Sequence, residues 1–141
     1  NNMILQKAAE ARDKGLKTII CVGETLQQRE NGEAEATVQD QLRGSLPASA
    51  EPESVVIAYE PVWAIGTGKT PKLDEIRAMH DHIADVLAKE VDQSDDWRIL
   101  YGGSVKPNNA EAILSIENVH GALIGGASLM AEDFVKIAKS V

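Results

Sequence analysis

Four short apolar runs punctuate this chain, at residues 17–22, 55–59, 98–101 and 120–124. Each gives way to glycine or polar residues and then to helical periodicity. Strand, crossover helix and next strand, repeated in that order, is the pattern of parallel βα units. In such units ligands bind at the C-terminal ends of the strands, which is where the glycines fall here. The chain has 141 residues, 43% of them apolar, which gives one domain's length and enough apolar side chains for a core.

The second run organises the rest. Val55-Val56-Ile57-Ala58-Tyr59 is apolar and β-branched, as a strand buried on both faces requires. Glu60 ends it, and a carboxylate at the mouth of a buried strand is costly unless it is partnered or used. Pro61 cannot continue a ladder and holds Glu60 extended, so the chain leaves the sheet there. The loop that follows carries Val62, Trp63, Ala64 and Ile65, then Gly66-Thr67-Gly68, Lys69 and Thr70. Solvated loops seldom hold Trp and Ile unless they close over something. Residues 61–70 therefore read as a lid, with Glu60 as a base beneath it. Taken singly, these pieces have a plainer alternative, a surface carboxylate and an ordinary glycine turn.

Two further stretches bear on the same end of the strands. Tyr101-Gly102-Gly103-Ser104-Val105 closes the third run, and Gly125-Gly126-Ala127-Ser128 closes the fourth. Paired glycines let the backbone approach a ligand with several N–H groups aimed at one anion. A helix N-terminus behind them completes a phosphate cup. One pair alone is explained by a tight turn, but two on consecutive strands favour anion binding. The net charge of −8 and the absence of a basic cluster argue against nucleic acid or an anionic membrane surface as partner. They do not oppose a phosphate held by backbone dipoles. The one cysteine, Cys21, excludes an internal disulfide framework, suits a reducing cytosol and reads as a small core residue. No apolar run approaches the roughly 20 residues that span a bilayer, and the charged, amphipathic residues 1–16 do not read as a signal peptide.

Helical spacing predicts helices over 2–14, with Gly15 as C-cap, and over 25–46, interrupted at Asn31-Gly32. A further helix runs from Lys72 or Leu73 to Val91, with Asp74 and Glu75 in the first turn as the helix dipole favours. Two more are expected over 107–115 and 131–140. His80 and His82 fall within the helix after the lid and read as surface or core-edge residues, while His120 starts the fourth strand.

The string AYEPVWAIGTGKT at 58–70 closely resembles the lid segment of the triosephosphate isomerase family. YGGSV at 101–105, GGASL at 125–129 and CVGETL at 21–26 are similar to that family's motifs too, in the same order. The resemblance covers the whole chain. It implies an α/β fold of the (β/α)8 TIM-barrel type, with strands 5–8 and their helices represented here. Residues 1–141 would then be the C-terminal half of a single barrel domain. The family is itself the standard example of a glutamate base working beneath a lid that excludes water.

By that resemblance Glu60 is the catalytic base in the interconversion of dihydroxyacetone phosphate and glyceraldehyde 3-phosphate. Gly66, Ser104, Gly125 and Gly126 would hold the substrate phosphate through backbone N–H groups, with Leu123 near the substrate. Trp63 would swing with the lid toward Glu24, Tyr101 would steady the closed lid, and Cys21 would pack beside Glu60. No metal or organic cofactor is implied. The implied partners are the triose phosphate itself and a second copy, through the half of the barrel not present here. The implied location is the cytoplasm.

Two positions depart from the family's pattern. Pro71 stands where a backbone N–H would donate to the Tyr101 hydroxyl, and proline has no such donor. His120 stands where the family usually has an acidic residue. The family's catalytic lysine and electrophilic histidine have no match in the chain, so by itself it should be nearly inert, since losing one stabilising donor costs roughly 10² to 10³ in rate. A reading from another class is a half-barrel that binds a sugar phosphate without turning it over.

Overall fold

The computed structural model describes residues 1–48, 50–65, 70–91 and 96–140. In chain order they form α1 (Asn2–Asp13), β1 (Thr18–Val22), α2 (Leu26–Glu30), α3 (Ala34–Ser45) and β2 (Val55–Tyr59). A 3-10 turn at Val62–Ala64 precedes α4 (Leu73–Glu90) and β3 (Ile99–Tyr101), and α5 (Ala110–Leu114) follows. A second 3-10 turn at Gly126–Leu129 leads into α6 (Ala131–Ala138). The strands form a parallel sheet in sequence order, with Thr18 opposite Val55 and Ile57 opposite Ile99.

Side chains alternate across each strand, so the sheet has two faces. One carries Ile20, Val22, Val55, Ile57, Tyr59, Ile99 and Tyr101, all of them buried, in one cluster with Val38 and Leu42 of α3 and Ile76, Met79, Ile83, Val86 and Leu87 of α4. Full burial of a Leu or Ile side chain is worth about 1.5–3 kcal/mol, so this layer is the main source of stability. The other face carries Ile19 and Cys21, opposite Val56 and Ala58. There Ile19 is 51% exposed and Cys21 is exposed. The expectation that Cys21 is a core residue is not met in this chain: strand periodicity places it on the face opposite the buried cluster, where it is exposed.

His80 also differs from expectation. It is fully buried, because it follows Ile76 by four residues and precedes Ile83 by three, on the apolar stripe of α4. Its Nδ1 lies 2.9 Å from the Asn118 carbonyl, and its ring meets Tyr59 edge-on at 5.9 Å. Since a carbonyl only accepts, Nδ1 carries the proton and Nε2 is left as a bare lone pair with no hydrogen-bond partner among the described residues. Burial comes first in pushing the imidazole down to about 4, with the nearby His120 adding to it. The bond to Asn118 and the charge of Asp81 oppose the shift. Asn118 holds φ at +64°, a conformation asparagine tolerates, and its amide donates to Asp81 Oδ1 at 2.8 Å.

The fourth run, 120–124, falls short of the strand expected there. His120 N–H donates to the Ile99 carbonyl, Tyr101 N–H to Gly121 and Leu123 N–H to Tyr101, but only an isolated parallel bridge, Tyr101 to Ala122, results. The segment borders β3 on one side, and Gly121 at φ +155° departs from strand geometry. His120 Nδ1 accepts the Ile99 N–H at 3.0 Å, an acceptor's role that a carboxylate could also fill. The helix expected over 107–115 is shortened to α5. Asn109 engages the turn before it, accepting the Lys106 N–H at 2.7 Å and donating to the Ser104 carbonyl at 3.2 Å. Among the described residues no helix is long and apolar enough to cross a membrane.

Candidate active site

Glu60 follows directly on β2, and its N–H donates to the Val22 carbonyl at 2.8 Å, which extends the pairing with β1 one residue past the strand. Its side chain crosses the end of β3 above Gly102. A Cβ on Gly102 would stand 3.0 Å from Glu60 Oε1 and collide with Cγ. The next residue shows the same economy, since a Cβ on Gly103 would strike the Tyr101 hydroxyl. The 102–103 pair thus makes room for the protein's own side chains, a use that the anion-binding reading of the sequence did not include. On its other side Glu60 meets Cys21. Although Cys21 is exposed on the open face, partial desolvation of its thiol, then the charge of Glu60 and a hydrogen bond to it, push the thiol up to about 11.

Beyond Gly102 lies a cleft of about 600 Å³, whose lining includes Ile65, Gly102, Gly103, Ser104, Leu123, Gly125 and Gly126 together with Lys106 and Asp133. Three of the residues expected to bind phosphate, Ser104, Gly125 and Gly126, meet in this one cavity with Leu123, expected near the substrate. Gly125 and Gly126 face open space, with nothing within 4 Å of a Cβ added at either. The Ser128 hydroxyl donates to the Gly125 carbonyl at 2.7 Å and fixes the turn that leads toward α6. Ile65, the last described residue of the lid's first half, overhangs the cleft and is 47% exposed, as is Val62 at 50%. Gly66, Thr67, Gly68 and Lys69, the remainder of the expected lid before exposed Thr70, lie outside the described residues.

Where the chain leaves β2, the lid's first residues are anchored on Glu24. Val62 N–H donates to the Glu24 carbonyl at 3.1 Å, and Trp63 Nε1 donates to its carboxylate at 2.8 Å. That carboxylate is fully buried and also accepts from Tyr59 at 3.2 Å and from Arg29 Nε at 2.7 Å. Burial, then the charge of Glu24, holds the Tyr59 hydroxyl far above its ordinary range. Burial works against the charge on Arg29, but the bond to Glu24 and the neighbouring Tyr59 outweigh it and raise its affinity for its proton. Tyr101 is buried with its hydroxyl unpartnered among the described residues, and burial pushes that hydroxyl up to about 12. Pro71, buried nearby in sequence to the lid's far end, offers it no N–H.

Sequence reasoning passed over Arg29, Lys106 and Gln41. Gln41 brackets Gly23, accepting from its N–H at 2.7 Å and donating to its carbonyl at 2.9 Å, which fixes the turn that carries Glu24. A charged or amide side chain on an amphipathic helix is usually solvated, so spacing gave no signal for either helical residue. Lys106 follows YGGSV directly and was within reach of a reading that looked for cations beside the glycines. Among the described residues no group of three or more His, Cys, Asp or Glu is placed to hold a metal ion.

The family model described as triosephosphate isomerase matches residues 1–141. The chain is 51% identical over 140 residues to a triosephosphate isomerase of Xanthobacter flavus, covering 99% of this chain and 56% of that protein. It is 53% identical over 135 residues to that of Mesorhizobium japonicum, covering 95% of this chain and 53% of the relative. The crystal structure of triosephosphate isomerase from Bartonella henselae superposes with a TM-score of 0.92 at 41% identity, over 99% of this chain and 56% of that one. The chain therefore spans about half the length of the curated relatives it matches, and its parallel βα units are those of a TIM barrel. A match along its entire length places the chain in the triosephosphate isomerase family.

Proposed function

We propose that this chain is the second half of a barrel, strands 5–8, in an enzyme that interconverts dihydroxyacetone phosphate and D-glyceraldehyde 3-phosphate. The observation that carries the reading is the placement of Glu60. Its carboxylate lies on Gly102, at the rim of the cleft that gathers Ser104, Leu123, Gly125 and Gly126. A phosphate held by the backbone of that cleft would set the adjoining carbons toward Glu60. Glu60 then takes the proton from one carbon and returns it to the next, through an enediolate. The donors that steady the enediolate oxygens, the family's lysine and histidine, would come from the other half. A dimer formed through that half, a cytoplasmic location and a place in glycolysis and gluconeogenesis belong to the same proposal.

The test uses the full-length protein. Glu60→Gln keeps the shape of the side chain but cannot take a proton, and a positioned general base is worth roughly 10² to 10⁴ in rate. The expected result is a kcat lower by that factor with glyceraldehyde 3-phosphate, and unchanged competitive inhibition by inorganic phosphate. A variant that keeps the parent's kcat would show that Glu60 is not the base. An intact mass well above the 15.2 kDa of this chain, about 27 kDa for a complete barrel, supports the half-barrel assignment.

A further inference from the structure

The lid segment has two ends, and one side chain reaches both. Arg29 sits in α2, a helix of five residues that could not persist alone but is closed by a capping box. Thr25 N–H donates to Gln28 Oε1 at 2.9 Å, and Gln28 N–H returns to Thr25 Oγ1 at 3.4 Å. The guanidinium this helix presents is divided among several partners. Nε donates to the buried Glu24 carboxylate at 2.7 Å, and the terminal nitrogens reach the Tyr59 hydroxyl at 3.0 Å and Glu75 Oε1 at 3.5 Å. Its central carbon also lies 5.3 Å from the centroid of Trp63.

Those partners belong to opposite ends of the lid. Glu24 and Trp63 hold the end that leaves β2. Glu75 belongs to the other end, because its second oxygen accepts the Lys72 N–H at 2.7 Å and so fixes the residue at which α4 begins. Lys72 cannot complete a capping box, since an ammonium has no acceptor for the return bond. Among the described residues, Glu75 is therefore the local side chain that fixes the start of α4. Near the same end Pro71 removes a backbone donor, and the buried Tyr101 hydroxyl has no partner among the described residues.

We propose that Arg29 is a positioning residue that ties the two ends of the lid segment together, with Glu75 as its contact at the far end. The planar fork of arginine suits this, because its donors point in fixed and different directions, whereas a lysine would satisfy one carboxylate at a time. The tie holds the end of the lid at which Pro71 offers no backbone donor. The inference rests on the isomerase reading only for its effect on turnover, and the geometry of the tie stands apart from it.

The test is made in the full-length protein with Glu75→Gln, Arg29→Lys and the two combined. Glu75 is 37% exposed, and glutamine keeps an acceptor for the Lys72 N–H, so that variant is expected to fold. A tie that sets the lid's ends serves ground state and transition state alike. Glu75→Gln should therefore raise KM for glyceraldehyde 3-phosphate roughly two- to fivefold with kcat nearly unchanged. Adding Glu75→Gln to Arg29→Lys should then change little, because the shared contact is already lost. The second readout is limited trypsin digestion after Lys72, which should quicken in Glu75→Gln while cleavage after Lys139 does not. Unchanged KM and unchanged cleavage in an active parent would overturn the tie, as would fully additive effects in the double variant. If the parent had no isomerase activity, the functional reading would fail, and the cleavage rates would still decide the tie.

Discussion

Acid should loosen this protein through the buried His80. In the folded chain its imidazole is neutral, with burial holding its affinity for a proton down to about 4 against 6.5 in the unfolded chain. A depressed value means that the unfolded state binds the extra proton first. The stability that His80 contributes is therefore complete above 6.5 and is lost as pH falls from there toward 4. At about 1.4 kcal/mol per pH unit the whole window is worth about 3 kcal/mol, of which about 2 is gone by pH 5. Nε2 makes the cost specific, because a proton added there finds no hydrogen-bond acceptor among the described residues. Urea midpoints of the full-length protein, measured from pH 7.5 to 4.5 for the parent and for His80→Gln, would isolate the effect. Glutamine can still donate to the Asn118 carbonyl and does not titrate. The two proteins differ only at residue 80, so the difference in slope belongs to that side chain. Equal slopes in the two proteins would refute the reasoning, since they would mean that the buried ring is not forced neutral.

Two other substitutions probe the site and its frame. If the proposed isomerase activity holds, Gly102→Ala should lower kcat of the full-length protein by about 10², because the new methyl displaces the Glu60 carboxylate by the order of an ångström. Steady-state kinetics should show the loss, and a crystal structure of the variant should show the carboxylate moved. Asn118→Ala removes the hydrogen bond that the side-chain amide donates to Asp81 and asks alanine to hold φ at +64°, so chemical denaturation should report about 2 kcal/mol of destabilisation with kcat unchanged.

The parts of the fold set by local pattern were readable in the chain. Val55–Tyr59 announces a central parallel strand by its unbroken apolar, β-branched run, and Asn31-Gly32 marks the break between α2 and α3. The residues of the cleft were readable because glycine and serine recur at two strand ends. What the chain did not disclose depends on register and on which faces are covered. That Gly102 lies beneath Glu60 follows only once Tyr59 is paired with Tyr101. Strand alternation gave Cys21 a face but could not say that the face is open. Arg29 carries no local signal, because its partners lie at positions 24, 59, 63 and 75 and converge only in the folded chain. His80 was within reach, since its spacing from Ile76 and Ile83 puts it on the buried stripe.

The sequential order of the sheet has a consequence for how the protein comes into being. Thr18 pairs with Val55 and Ile57 with Ile99, so among the described strands β2 and β3 each close a loop of about 40 residues onto their predecessor. The helix-covered side can therefore assemble in step with synthesis, one unit after another. The uncovered side cannot. In the half-barrel proposed above, Ile19 and Cys21 would stay in water until the other half closes over them, so the hazardous interval for a new chain would be closure rather than strand pairing. A chaperone that slows aggregation should act on that interval, and leave the rate of helix and sheet formation untouched.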